Sequence, residues 1–128
     1  MPTTPSPKLI APGESRTVQL YGVRFDYKVV GADSGGTLAL LEVEIPTGTL
    51  VKPRGTPHAM WNTEGTPARV LEIVAPAGLE NYFEELPPIL RHEGGAGRAE
   101  YEALAERYGI VILDDWIEEL ERTYGVKL

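Results

Sequence analysis

Cysteine is absent from all 128 residues, which excludes a disulfide framework, a cysteine-zinc site and thiol chemistry. Histidine is almost as scarce, because the chain holds only His58 and His92. The apolar runs are a few residues long, so the sequence predicts no membrane span. The first seven residues lack the charged and apolar regions of a signal peptide, and we therefore expect a cytoplasmic protein.

The surplus of negative charge is confined to the C-terminal part of the chain. The formal net charge is −7. Residues 1–79 hold seven acidic and seven basic side chains, whereas residues 80–128 hold twelve acidic and five basic ones. Such an acidic surplus argues against nucleic acid and anionic membranes as partners. Its simplest interpretation is a solvated helical face.

Alternation of apolar and polar residues predicts a β-rich first part, which follows an extended, proline-rich arm over residues 1–14. The clearest example is residues 23–30, where Phe25 and Tyr27 fall on one side and Asp26 and Lys28 on the other. Together with turn signals at 31–36 and 46–48, the pattern predicts strands at 15–22, 23–30, 37–45 and 68–75.

Helical periodicity follows the predicted strands. The spacing predicts helices over residues 79–86, where Pro87-Pro88 would stop the first one, and over 98–108. It predicts a last helix with Asp114 as its N-cap, which continues through Tyr124. Three apolar residues of the last helix, Trp116, Ile117 and Leu120, should pack it onto the β core or a partner chain. Strands followed by helices indicate a β core with a helical appendage.

The stretch from Gly48 to Asn62 is the most informative in the sequence. Its Gly and Pro residues predict tight reversals around His58, which begins a short extended run. Period-two alternation then places His58, Met60 and Asn62 on one face of the run and Trp61 on the other. A histidine held at a fixed angle after a rigid turn is typical of a metal ligand in a barrel.

This stretch resembles the second motif of the cupin superfamily, G-x5-P-x-G-x2-H-x3-N. Pro53, Gly55, His58 and Asn62 match, while Gly48 lies one residue too close to the proline. The resemblance covers residues 16–86, as in small bacterial cupins, and residues 103–110 resemble the tail of quercetin-dioxygenase-like members. It implies a shortened double-stranded β-helix, or jelly roll, over 15–86 and a C-terminal helical extension over 87–128.

The first cupin motif should lie between Thr49 and Leu50, but the sequence passes directly from one to the other. The family takes two histidines and a carboxylate from that motif and one histidine from the second, so the resemblance leaves only His58. Glu42 or Glu44 could substitute as an oxygen ligand. One imidazole alone does not hold a metal ion, and we expect no cofactor. If one is present, it should be a single divalent Fe, Mn, Ni or Zn.

Three functions stay open on these grounds. The sequence favours a cupin-fold small-molecule-binding protein that has lost the metal site, with a cavity for an apolar or aromatic ligand. The lining residues would be Phe25, Tyr27, Met60 and Trp61, although such residues on strands commonly form plain core. The alternatives are a metal-dependent dioxygenase resembling the quercetin-dioxygenase-like cupins and a non-catalytic dimeric scaffold.

A homodimer is expected because the hairpin of the first cupin motif is missing. About six strands are predicted, fewer than the eight of a jelly roll. Removing a hairpin from the middle of a barrel opens two strand edges, which invite pairing with a second copy. The two chains could exchange or share strands. The rival arrangement is a small monomeric barrel with the C-terminal helices filling the gap.

Overall fold

The computed structural model describes residues 8–51, 59–91 and 97–127, with only the backbone for Leu50 and Val51. Two residues singled out from the sequence, His58 and His92, lie outside the described residues. The N-terminal arm predicted over 1–14 is described from Lys8 onward.

Six strands and a one-turn helix make up the first part of the fold. In chain order they are β1 (Arg16–Leu20), β2 (Val23–Val29), α1 (Gly31–Ser34), β3 (Ala39–Ile45), β4 (Leu50–Val51), β5 (Met60–Trp61) and β6 (Ala68–Val74). Strands β1, β2, β3 and β6 form an antiparallel sheet in that order, and β4 and β5 pair as a separate two-stranded ribbon. Each of the four predicted strand ranges contains one strand of the sheet.

The turn between β1 and β2 uses the last two residues of the range predicted as the first strand. Tyr21 and Gly22 both have positive φ, 50° and 81°, and Leu20 pairs with Val23. A two-residue reversal with positive φ at both positions matches the right-handed twist of the flanking strands. The turn predicted at 31–36 is also more regular than expected, because it contains α1.

Three helices follow: α2 (Leu79–Leu90), α3 (Gly97–Arg107) and α4 (Ile117–Tyr124). The prediction that Pro87-Pro88 ends the first helix is wrong, because α2 continues to Leu90. Proline removes a backbone donor, but its φ near −65° is itself helical. No helix in the described ranges combines the length and apolar content needed to cross a membrane.

The last helix begins later than predicted. Its N-cap is Trp116 rather than Asp114, and the indole Nε1 donates a hydrogen bond to the carbonyl of Leu113 at 2.6 Å. The expected apolar side of α4 is only half-buried at Trp116, Ile117 and Leu120. Helix α4 is therefore packed less deeply than the sequence predicted.

The hydrophobic core lies between one face of the sheet and α2. The sheet contributes alternate residues of β2 and β3, and α2 contributes the side it turns toward them. The buried members from these elements are Val23, Phe25, Tyr27, Ala39, Leu41, Val43, Ile45, Leu79, Tyr82 and Leu86, and Leu20 of β1 and Val74 of β6 also belong to the cluster. Leu104 of α3 is buried in the same cluster. Burial of this alternating face is what the period-two pattern predicted for β2.

A sheet combined with helices is confirmed, but the described strands form an open four-stranded sheet and a ribbon rather than a closed barrel. Helix α2 covers the face on which the second sheet of a sandwich would pack. Helical residues are also about as numerous as strand residues in the described ranges. The fold is thus less dominated by β-structure than the sequence predicted.

Candidate functional site

The four side chains predicted to line a ligand cavity lie in two different surroundings. Phe25 and Tyr27 are buried on the inner face of β2. The ring of Phe25 stacks on Phe83 of α2, with 4.4 Å between centroids, and the Tyr27 hydroxyl donates to the carbonyl of Glu80 at 2.8 Å. These two side chains form the contact between the sheet and α2, so a ligand could reach them only if α2 moved.

Met60 and Trp61 lie on β5 of the ribbon. Met60 is half-buried and packs against the core, whereas Trp61 is 37% exposed. The Trp61 ring contacts the ring of Tyr124 at the end of α4, with 4.8 Å between centroids and 33° between planes. Tyr124 is itself 47% exposed. The structure therefore presents an aromatic pair, Trp61 and Tyr124, at the surface beside Met60.

The segment after α4 fastens the C-terminal end of the chain to the ribbon. The Lys127 amide donates to the carbonyl of Gly48 at 2.6 Å, and Lys127 forms a parallel bridge with Thr49. Val126, immediately before it, is fully buried. This attachment holds Tyr124 against Trp61. Sequence reasoning missed Tyr124, since a tyrosine before the glycine that ends a helix carries no signal of such a contact.

Asn62, the last residue of the cupin-like motif, holds the backbone next to Trp61 in place. Its side chain is buried. Nδ2 donates to the carbonyls of Ile45 and Thr66 at 3.0 and 2.9 Å. Oδ1 accepts a hydrogen bond from the Glu64 amide at 2.9 Å. Asn62 thereby ties the end of β3 to the turn that leads into β6, which makes it a positioning residue for the neighbouring Trp61.

Glu42, the substitute metal ligand, lies on the outer face of the sheet, since its neighbours Leu41 and Val43 are buried on the inner face. The carboxylate pairs with Arg69 and lies 3.9 Å from Lys28 Nζ. Two cations thus compensate its charge. In the described ranges no three His, Asp or Glu side chains come together as a metal site, and His58 is outside those ranges.

A buried carboxylate that the sequence did not single out is Glu80, in the first turn of α2. Its residue is 2% exposed. One carboxylate oxygen accepts a hydrogen bond from the Gly31 amide at 2.8 Å and the other from the Gly78 amide at 2.6 Å. Both oxygens are therefore bound to backbone, and Glu80 joins the start of α1 to the start of α2. This carboxylate holds the fold together and is not placed to take a ligand.

Tyrosines surround the contact between α2 and α3. The ring of Tyr82 meets that of Tyr108 edge to face at 5.7 Å, and the Tyr108 hydroxyl donates to Glu85. Burial, followed by that hydrogen bond, raises the pKa of Tyr108 to about 12. Burial also raises the pKa of Tyr82. Both phenols are thus held neutral, as expected of packing residues rather than general bases.

The chain was compared with family models, with curated proteins and with solved structures, and none of the three comparisons finds a match.

Proposed function

We propose that the protein binds a small apolar or aromatic molecule, without a metal ion, on the aromatic pair Trp61 and Tyr124. The observation that supports this proposal is the contact between the two rings, both of which keep a large part of their surface exposed. An aromatic face offers a large apolar area to a planar ligand, and ring pairs contribute about 0.5–1.5 kcal/mol beyond burial.

The backbone beneath the pair is held in place before any ligand arrives. Asn62 anchors one ring through its three side-chain hydrogen bonds, and the backbone bond from Lys127 to Gly48 anchors the other. A preformed site loses less conformational entropy on binding than a mobile one. Half-buried Met60, which precedes Trp61 on β5, packs against the hydrophobic core and so anchors the strand that carries the ring.

We further propose that this site belongs to a shortened cupin framework. The buried Asn62 gives the second-motif resemblance a structural role, because it closes the turn after the motif. In a complete jelly roll Phe25 and Tyr27 would face the interior cavity. Here α2 covers them, so the ligand site would lie at the ribbon, with Trp61 as the retained member of the predicted set.

The dioxygenase alternative requires a metal ion and therefore further ligands beside His58. Glu42 would have to give up its pairing with Arg69 and Lys28 on the outer face before it could serve as a ligand. Metal analysis of untagged protein, with His58→Ala as the comparison, tests this alternative separately. A stoichiometric metal ion that is lost in His58→Ala would favour the dioxygenase over the metal-free binding protein.

The binding proposal is tested with N-phenyl-1-naphthylamine, a neutral planar fluorophore. In a Trp116→Phe background Trp61 is the only tryptophan, so energy transfer to the bound probe reports proximity to this ring. Affinity in every variant is measured from the directly excited fluorescence of the probe, and we expect saturable binding that is at least tenfold weaker, about 1.4 kcal/mol, in Trp61→Ala and in Tyr124→Ala.

Tyr21→Ala provides the matched control, since Tyr21 is also an exposed aromatic residue but lies in the turn between β1 and β2. It should leave probe binding unchanged. Binding that is absent in the wild type, or that is weakened equally by all three substitutions, would overturn the proposal. In the former case the dimeric scaffold becomes the better interpretation.

A further inference from the structure

The strand at one end of the sheet carries exposed apolar side chains. Within the described ranges β6 is paired only with β3. On the outer face of β6, Leu71 is 60% exposed and Ile73 is 66% exposed, and the cross-strand neighbour of Ile73 is Leu40. A seven-residue edge strand with large apolar side chains is a template for pairing with another chain.

The strand at the opposite end of the sheet differs in character. The exposed residues of β1 are Arg16, Thr17 and Gln19. Arg16 pairs with Glu84 of α2, and the Thr17 hydroxyl donates to Asp26 at 2.7 Å. Polar and charged side chains protect an edge against association. The contrast singles out β6 as the edge that is suited to a partner.

We propose that the partner is a second copy of this chain, with the two β6 strands paired antiparallel about a two-fold axis at Leu71. Such pairing joins the two four-stranded sheets into one sheet with the strand order β1-β2-β3-β6-β6-β3-β2-β1. Both remaining edges would then be the polar β1 strands. No strand needs to be exchanged, and the inference does not depend on the proposed ligand binding.

The register follows from overlap and charge. A two-fold axis between antiparallel strands places one residue opposite its own copy. Leu71 is the middle residue of Ala68–Val74, so an axis there pairs all seven residues of both strands. An axis at Arg69 or at Glu72 would place like charges directly opposite each other, which is unfavourable.

The same register also matches side chains across the new strand pair. Leu71 would meet its own copy, and Val70 would lie opposite Glu72 of the other copy. Arg69 would lie opposite Ile73, where its aliphatic stem can cover the isoleucine. Arg69 already pairs with Glu42 of its own chain, so its charge stays compensated in the dimer. No like charges face each other at any position.

The absence of native cysteine allows a direct test of the register. In Leu71→Cys the two thiols would be directly opposite, with Cβ atoms about 4.5–5.5 Å apart, close to the range that a disulfide spans. In Ile73→Cys they would be separated by four residues along the strand, about 14 Å. Val111→Cys, at another exposed apolar residue, measures random collision.

Under mild oxidation at micromolar protein, we expect a covalent dimer from Leu71→Cys at least tenfold faster than from the other two variants. Opposed residues in antiparallel strands alternate between hydrogen-bonded and non-hydrogen-bonded pairs. Residue 70 of one copy would lie opposite residue 72 of the other, in the kind of pair that Leu71 does not form, so an equimolar mixture of Val70→Cys and Glu72→Cys should also cross-link. Failure of both tests, or fastest cross-linking by Ile73→Cys, would overturn the proposal.

Solution mass provides the second readout. The wild type should have twice the mass of one 14.0 kDa chain by light scattering, and Leu71→Lys should raise the dimer dissociation constant at least tenfold by placing two cations face to face. Val111→Lys makes the same change elsewhere and should leave the mass unchanged. Circular dichroism of each variant establishes that it is folded. A monomeric wild type at tens of micromolar would refute the inference.

Discussion

Replacing Glu80 with glutamine tests how the first turns of α1 and α2 are joined. Each carboxylate oxygen of Glu80 accepts one backbone hydrogen bond, from Gly31 and from Gly78. Glutamine has nearly the same shape but keeps only one acceptor oxygen. Its amide nitrogen would face a backbone N–H that also needs an acceptor, so one partly buried donor loses its partner.

The size of the effect follows from the kind of bond that is lost. A hydrogen bond to a charged group contributes about 1.5–3 kcal/mol, and an unsatisfied buried donor costs a similar amount. We therefore expect Glu80→Gln to lower the free energy of unfolding by about 2–3 kcal/mol. For a domain of this size that corresponds to a fall of roughly 8 °C or more in Tm. Glu80→Ala, which loses both bonds and leaves a cavity, should cost about 4 kcal/mol.

Urea unfolding followed by circular dichroism measures these differences at a fixed protein concentration. Glu106→Gln is the matched control, because Glu106 is exposed on α3 and the same chemical change there should stay within about 0.5 kcal/mol. If Glu80→Gln were no more destabilising than this control, the carboxylate would not be the link between the two helices, and the reasoning would be wrong.

Three further substitutions test other parts of the structure. Asn62→Ala should cost about 2–3 kcal/mol in urea unfolding, since it removes all three hydrogen bonds of a buried side chain, one of them to the buried carbonyl of Ile45; a loss below 0.5 kcal/mol would contradict its role. Val126→Ala should cost about 2 kcal/mol and increase acrylamide quenching of Trp61 in the Trp116→Phe background, whereas unchanged quenching would mean that the C-terminal segment does not hold the ribbon. Burial raises the pKa of Asp26, but hydrogen bonds from Thr17 and Arg24 and nearby cations outweigh it and leave the pKa lowered. The stabilisation is therefore present above the unfolded pKa of about 3.9 and lost as pH falls through the folded pKa, so Asp26→Asn should show a smaller drop in Tm than the wild type between pH 5 and 2.5.

The strands of the sheet could be predicted because their signal is local. Alternation over 23–30 identified the face of β2 that carries Phe25 and Tyr27, and that face is buried. Period two is a property of the extended backbone itself, so it needs no knowledge of the partner. The partner was the part that could not be predicted. Whether a second sheet or a helix covers an apolar strand face depends on contacts between distant residues.

In the candidate site, too, the local feature could be predicted and the contact between distant residues could not. Trp61 was identified because the motif around it has a recognisable spacing, whereas its ring partner Tyr124 is 63 residues away in the sequence. Residues 68–75 carry apolar side chains at both odd and even positions, a pattern typical of strands that are covered on both faces. Leu71 and Ile73 are exposed instead, because α2 covers only one face of the sheet.

Covering one face with α2 explains why the two proposals concern different places. The inner face of the four-stranded sheet is closed by α2 through contacts such as Phe25 with Phe83, so the ligand is proposed to bind at the ribbon and the partner at the edge strand β6. The residues on which the proposals depend, Trp61 and Leu71, therefore belong to separate structural elements. Leu71→Lys should change the solution mass while probe binding persists, and Trp61→Ala should weaken probe binding while the mass persists. If either substitution abolished both properties in a folded protein, ligand site and interface would be one surface, and the separation argued from α2 would fail.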